Sequence, residues 1–258
     1  MKILLMTDIE GITNVDTIDA VPQDSEGYPN SCKELMLDVN SAIDGFYSAG
    51  VEKVYVYDGH GGGKNFIKEM LDPRAEQVYR DNWHELVSSG EIDAYAEVGL
   101  HAMAGAENAF LEHTQNSKTW FDYKINGVSC GELIQGAAYV GAYGIPMIFV
   151  SGDKAACEEA KSFIPNIAVA VIKHAQGRNK AVSLPSDEAR ALIKITAKES
   201  VKLIDKIKPY KISLPAEILF TFQRTDYCDK FAEGRERVGS RTIRKIVKEI
   251  VTYSSLLL

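Results

Sequence analysis

SCKELMLDVNSAIDGFYSAGVEKVYVYD, residues 31–58, is the stretch that decides the fold. Leu35, Val39, Ala42 and Phe46 recur at three- and four-residue intervals, which puts them on one face of an amphipathic helix. Ser31 and Glu34 have the spacing of a capping box, and Gly50 marks the stop. VEKVYVYD (51–58) then alternates in the manner of a strand, and KILLMT (2–7) upstream is an apolar run of strand length. A strand, a helix and a second strand in that order make a parallel pair, because only a long crossover lets consecutive strands run the same way.

Working outward, the alternation continues. DAYAEVGL (93–100), IPMIFVSGD (145–153) and IAVAVIK (167–173) read as strands, and residues 132–143 and 154–163 as helices. Asn126-Gly127 between two alternating runs is a hairpin signal. A long helix starts near Ser186 with Asp187 and Glu188 in its first turn, and AEILFTF (216–222) is a further strand. The expected class is α/β: a mostly parallel sheet flanked by helices, with a smaller α+β C-terminal part. The expected division is a catalytic α/β domain over residues 1–180 and a lobe over 181–258 that completes the fold.

The bulk numbers narrow the function classes. A net charge of −7 with no local basic cluster argues against nucleic acid and anionic membrane surfaces as partners. No apolar run approaches the roughly 20 residues of a membrane span. MKILLM is shorter than the apolar core of a secretory signal, about 7–15 residues, and runs straight into Asp8. Cys32, Cys130, Cys157 and Cys228 show no metal-type spacing and no disulfide framework, so they are expected to be reduced, mostly buried thiols in a cytoplasmic protein.

In open parallel sheets, ligands sit beyond the carboxyl ends of the strands. The first strand ends at Asp8-Ile9-Glu10, the second at YDGHGGG with His60, and the third at EVGLHAMAG with His101; the hairpin leads into CGELI with Glu132. Taken singly, each residue has an ordinary reading: a solvated loop acid, a surface histidine, a carboxylate matched to a helix dipole. Together they put three carboxylates and two imidazoles on one rim. Two divalent cations would bring +4 against −3 from Asp8, Glu10 and Glu132. Mixed nitrogen and oxygen ligation without thiolate suits Zn²⁺, with Mn²⁺ or Co²⁺ also accommodated.

The stretches DIEGI (8–12), DGHGGGKN (58–65), GLHAMAG (99–105), EHT (112–114), NGVSCGELIQGAAYVGAYGIPMIFVSGD (126–153) and SFIPNIAVAVIK (162–173) resemble the D-aminopeptidase family of dinuclear zinc metallopeptidases. They occur in family order across most of the chain. The resemblance implies metal ligands at Asp8, Glu10, His60, His101 and Glu132, with Asp8 bridging two zinc ions, and a catalytic residue at His113. It implies release of N-terminal amino acids, D-amino acids above all, from short peptides, and a ring-like homodecamer. The chain departs from the family pattern between His101 and His113, where the segment is one residue longer, and at Glu112, where the family has a small residue.

Two other readings compete. DIEGIT and SGDKAACEEA (151–160) imitate a haloacid-dehalogenase-like phosphatase that would use Asp8 with Mg²⁺, but Glu10 replaces its second aspartate and His60, His101 and Glu132 gain no task. A non-catalytic metal- or peptide-binding protein would be expected to lack His113. DGHGGGKN is not a P-loop, having neither the leading glycine nor a Ser or Thr after Lys64. His84 reads as a surface helix residue, His174 as uninvolved, Lys173 and Arg178 as a solvated basic loop, and Cys130 as a small packed hydrophobe.

Overall fold

The computed structural model describes residues 1–258, apart from the side chain of Asp81. The elements run β1 (Lys2–Thr7), α1 (Tyr28–Ser48), β2 (Lys53–Asp58), β3 (Glu76–Val78), α2 (Arg80–Ser88), β4 (Ala94–Leu100), β5 (Trp120–Ile125), β6 (Val128–Ser129), α3 (Glu132–Ala142), β7 (Met147–Asp153), α4 (Lys154–Phe163), β8 (Ala168–Gly177), β9 (Lys180–Ser183), α5 (Ser186–Ser200), β10 (Ala216–Phe222), α6 (Thr225–Ala232), β11 (Glu236–Gly239) and β12 (Thr242–Val247).

Seven strands form the main sheet in the order β3-β2-β1-β4-β7-β8-β9, parallel except for the β8–β9 hairpin. Every residue of β4 and β7 is buried, as expected where helices cover both faces of a parallel sheet. From β1 the chain first builds outward to β2 and β3, then returns to place β4 on the other side of β1. That reversal between β1 and β4 is a topological switch point, where an open sheet leaves a crevice at its carboxyl edge. The α/β class therefore holds. The second sheet is antiparallel, in the order β11-β12-β10-β5-β6, and draws strands from both sides of residue 180. Its β5–β6 turn is the Asn126-Gly127 pair, both at positive φ (49° and 83°), as a primed hairpin turn requires.

Three local expectations are corrected. The helix α1 starts at Tyr28, behind Gly27 and with proline in its first turn, so Ser31 and Glu34 lie inside it and form no capping box. The Ser31 hydroxyl instead donates to the Ala20 carbonyl at 2.8 Å, and Glu34 pairs with Arg190. The strand β8 runs on to Gly177 because β9 folds back on it, so Lys173 lies within a strand rather than a solvated loop, and its side chain is fully buried. Finally, β3 and the nine-residue α2 intervene between β2 and β4. The four cysteines are buried and free of disulfides. Among the described residues no helix is long and apolar enough to cross a membrane.

Candidate metal centre

The first acids are carried by the loop that leaves β1 and lies along β4. Asp8 N–H donates to the Val98 carbonyl at 2.8 Å, and Gly11 N–H to the Gly99 carbonyl at 2.7 Å. The two backbones interlock tightly. A Cβ on Gly11 would stand 2.2 Å from the Leu100 carbonyl oxygen, and one on Gly99, at φ +85°, 2.1 Å from that of Asp8. Only glycine permits this approach. Beneath the loop, the buried Lys173 ammonium donates to the carbonyl oxygens of Glu10, at 2.9 Å, and of Val15. Burial pulls that ammonium down to about 8, against the opposing pull of Asp16 and Asp38.

His60 follows β2. Its Nδ1 lies 2.8 Å from Asp8 Oδ1 and 3.1 Å from Glu10 Oε2. Asn65 holds this turn by donating from its amide to the His60 carbonyl and to Asp58 Oδ1, both at 2.7 Å. His101 follows β4, with Nε2 3.2 Å from Asp8 Oδ2 and 3.6 Å from Glu132 Oε1. Asp8 thus offers one oxygen to each histidine. Glu132 opens α3, and its Oε1 accepts the Gln115 N–H at 2.7 Å. Gln115 is anchored in turn by the Tyr253 hydroxyl (2.9 Å) and by Gln135 (2.8 Å). Glu159 ties the His101 loop to the start of α3, accepting N–H groups from Met103 and Gly131 at 2.7 and 2.8 Å.

His113 reaches the same place. Its Nε2 lies 3.7 Å from Glu132 Oε1. Its Nδ1 is 2.8 Å from the carbonyl of Leu111, a residue held in the left-handed region at φ +50°. An N–H donated from Nδ1 to that carbonyl leaves the Nε2 lone pair facing the cluster, and the contact of His101 Nδ1 with the Ala102 carbonyl at 3.0 Å does the same for His101. Sequence reading thus placed six residues at the site, and all six converge.

Two trios have ligand atoms within 4.8 Å of one another: Asp8, Glu10 and His60, and Glu10, His101 and His113. Glu10 Oε2 and His101 Nε2 are buried with no hydrogen-bond partner, an arrangement that leaves donor atoms aimed at one another and at nothing else. Burial pushes the Asp8 carboxyl up, but the imidazoles of His101 and His60 outweigh it and hold the group well below the usual carboxylate range. Burial likewise lowers His60, yet Glu10 and Asp8 raise it to about 11; His101 is driven well above its ordinary value against the same burial by Asp8, Glu10 and Glu132. Three acids packed this closely demand positive charge, and the donor set of carboxylate oxygens and imidazole nitrogens fits a zinc-type cation.

The centre lines a cavity of about 950 Å³ that Asp8, Glu10, His60, His113 and Glu132 all reach. Its other wall is aromatic. Trp83 stacks on Tyr57 with centroids 4.8 Å apart and meets the edge of Tyr253 at 5.6 Å. His84 also lines it, its Nδ1 2.6 Å from the Tyr139 hydroxyl, so it is a wall residue rather than a surface one. His174 is exposed, and Arg178 is exposed and paired with Glu112 at 3.1 Å. Sequence reading missed Lys173, Gln115, Tyr253 and Trp83. Only the lysine left a trace, as a charge directly after an apolar strand.

The sequence model of the family described as D-aminopeptidase, Peptidase_M55, matches residues 1–258. The chain belongs to the D-aminopeptidase family. It is 27% identical over 212 residues to a D-aminopeptidase of Bacillus subtilis (strain 168), covering 81% of this chain and 77% of that one. The solved structure of the Zn-dependent D-aminopeptidase DppA from Bacillus subtilis, a self-compartmentalizing protease, superposes with a TM-score of 0.91 at 23% identity, over 100% of this chain and 96% of that one. Family membership disfavours the phosphatase reading and the non-catalytic one.

Proposed function

We propose that this D-aminopeptidase family member is a metallo-aminopeptidase that releases N-terminal residues, D-amino acids above all, from short peptides. Two zinc ions per chain would be held by Asp8, Glu10, His60, His101 and Glu132. The observation that carries this reading is the convergence of those five donors, two with orphaned buried atoms, in a chain of this family. When bound, the metal pair supplies Lewis acidity: it lowers the pKa of water and polarises a carbonyl.

The chain's own residues do the rest. The acids and imidazoles fix the cations, and the aromatic wall packs against the peptide and excludes water. His113 Nε2, with its lone pair turned into the cavity, takes a proton from the water that adds to the scissile carbonyl carbon and gives it to the nitrogen of the departing amine as the C–N bond breaks. The Leu111 carbonyl steadies the imidazolium while the proton is held. Assembly of the DppA relative into a self-compartmentalizing protease supports a homo-oligomer, which we read as a ring-like decamer of cytoplasmic chains.

The test is metal content per chain together with amino-acid release from matched D- and L-peptides, with free and N-acetylated amino termini. The proposal expects about two metals per chain, abolition by chelator, and turnover of unblocked peptides, D-peptides above all. Comparable hydrolysis of blocked and free peptides would remove the aminopeptidase reading.

A further inference from the structure

The cavity is lined by charge of both signs. Its acids are those of the metal centre. Three cations also line it: Arg80, Lys118 and Arg178. Arg178 is engaged by Glu112 at 3.1 Å, but among the described residues neither Arg80 nor Lys118 makes an ion pair. Both are exposed to the solvent of the cavity, in a chain of net charge −7, where carboxylates to pair with are abundant. Two cations left without partners beside an acidic centre are placed for an anion that arrives from outside.

Topology sets the distance. Arg80 opens α2 directly after β3, and β3 lies two strands from β1, which delivers Asp8. At about 4.8 Å per strand the separation is roughly 10 Å. That is the length of about three extended residues, and the reach of an arginine side chain shortens it toward two. Between the two ends lies the Trp83–Tyr57 stack, with the Arg80 charge near enough to the Tyr57 phenol to oppose its rise on burial.

We infer that Arg80 and Lys118 form a carboxylate subsite that captures the C-terminus of a zwitterionic di- or tripeptide whose amine lies at the acidic end of the same cavity. The inference rests on the aminopeptidase reading for the direction in which the peptide lies. It makes the enzyme a reader of both peptide ends, and so selective for length as well as for a free amine. A guanidinium and an ammonium suit this task because each hydrogen-bonds an ionised carboxylate, the guanidinium with two parallel N–H groups.

The test compares a D-alanyl tripeptide with its C-terminal amide on the metal-loaded enzyme, by steady-state kinetics, and on the His113→Ala enzyme, by calorimetric binding. The free acid should bind about tenfold more tightly than the amide, the scale of one charge-assisted hydrogen bond. In the Arg80→Gln/Lys118→Gln double variant the acid should fall to the value of the amide, with the loss in KM rather than kcat. The charge-keeping Arg80→Lys/Lys118→Arg pair should retain the preference. Equal treatment of acid and amide by the unmodified enzyme, or a preference that survives in the double variant, overturns the subsite while leaving the aminopeptidase reading intact. Preferential binding of the acid with no turnover of either peptide upholds the subsite and removes that reading instead.

Discussion

The imidazole rings of His101 and His113 stack face to face, with centroids 3.9 Å apart and planes 11° from parallel. Each gives its Nδ1 to a backbone carbonyl, and their Nε2 atoms both face Glu132 Oε1, at 3.6 and 3.7 Å. Near-identical placement invites different tasks. His101→Ala should lose metal and activity together. His113→Ala should keep its metal and lose turnover by about 10²–10⁴-fold, the usual scale for a general acid–base group. Elemental analysis of the two purified variants decides; equal metal loss in both would make His113 a ligand.

Lys173→Met tests the buried ammonium under the acidic loop. Two carbonyl oxygens, of Glu10 and Val15, lose their donor. Leaving buried acceptors unsatisfied costs about 1–3 kcal/mol, and the freed loop should weaken metal retention as well. Thermal unfolding with and without added zinc reads both effects. A variant with unchanged Tm and metal content would show that the loop holds itself.

Gly99→Ala puts a methyl group 2.1 Å from the Asp8 carbonyl oxygen at φ +85°. Overpacking adds about 1–3 kcal/mol to a left-handed backbone cost of about 1–2 kcal/mol. Gly50→Ala is the matched control, at φ +87° with nothing within 4 Å, and should show the backbone cost alone. Denaturant midpoints for the pair separate the terms; equal destabilisation would mean that the close approach relaxes without cost.

Asp38 gives a pH-dependent prediction. Burial raises its carboxyl from 3.8 to about 6, against the hydrogen bonds it accepts from Thr13 N and Oγ1. The folded chain therefore holds this proton where the unfolded chain has released it, and the stability contributed by Asp38 falls as pH rises from 3.8 toward 6. Unfolding free energies of the parent minus Asp38→Asn should decline across that window and level off above it. A difference that rises with pH would refute the assignment.

Much of this cluster could be read from sequence because side chains at strand ends inherit their position from the strands, and the strands announce themselves by period. Asp8, Glu10, His60 and His101 follow β1, β2 and β4 directly, and Glu132 opens a helix behind a hairpin whose turn is spelled Asn-Gly. What escaped depended on distant partners. The Ser31–Glu34 pattern resembles a cap, yet Ala20 claims the hydroxyl and Arg190 the carboxylate. Lys173 looks like a solvated charge until β9 extends its strand and Glu10 and Val15 turn their carbonyls toward it. Trp83 sits on a helix of nine residues behind a strand of three, too short for periodicity to rise above its surroundings. Gln115 and Tyr253 are 138 positions apart and share one hydrogen bond.

The α2 part of the cavity wall and the clustered acids and imidazoles come from different parts of the chain. Trp83, His84 and Arg80 ride on α2, hung from the outermost strand of the sheet, while Asp8, Glu10 and His101 belong to loops locked together at its centre and Glu132 opens α3. Replacement, lengthening or exchange of the α2 segment should alter which peptide is received without disturbing the backbone that carries the clustered acids and imidazoles. An engineer seeking new substrates would therefore graft residues 76–88 and leave the glycine-locked loops alone: the fold keeps the blade and its handle on separate fittings.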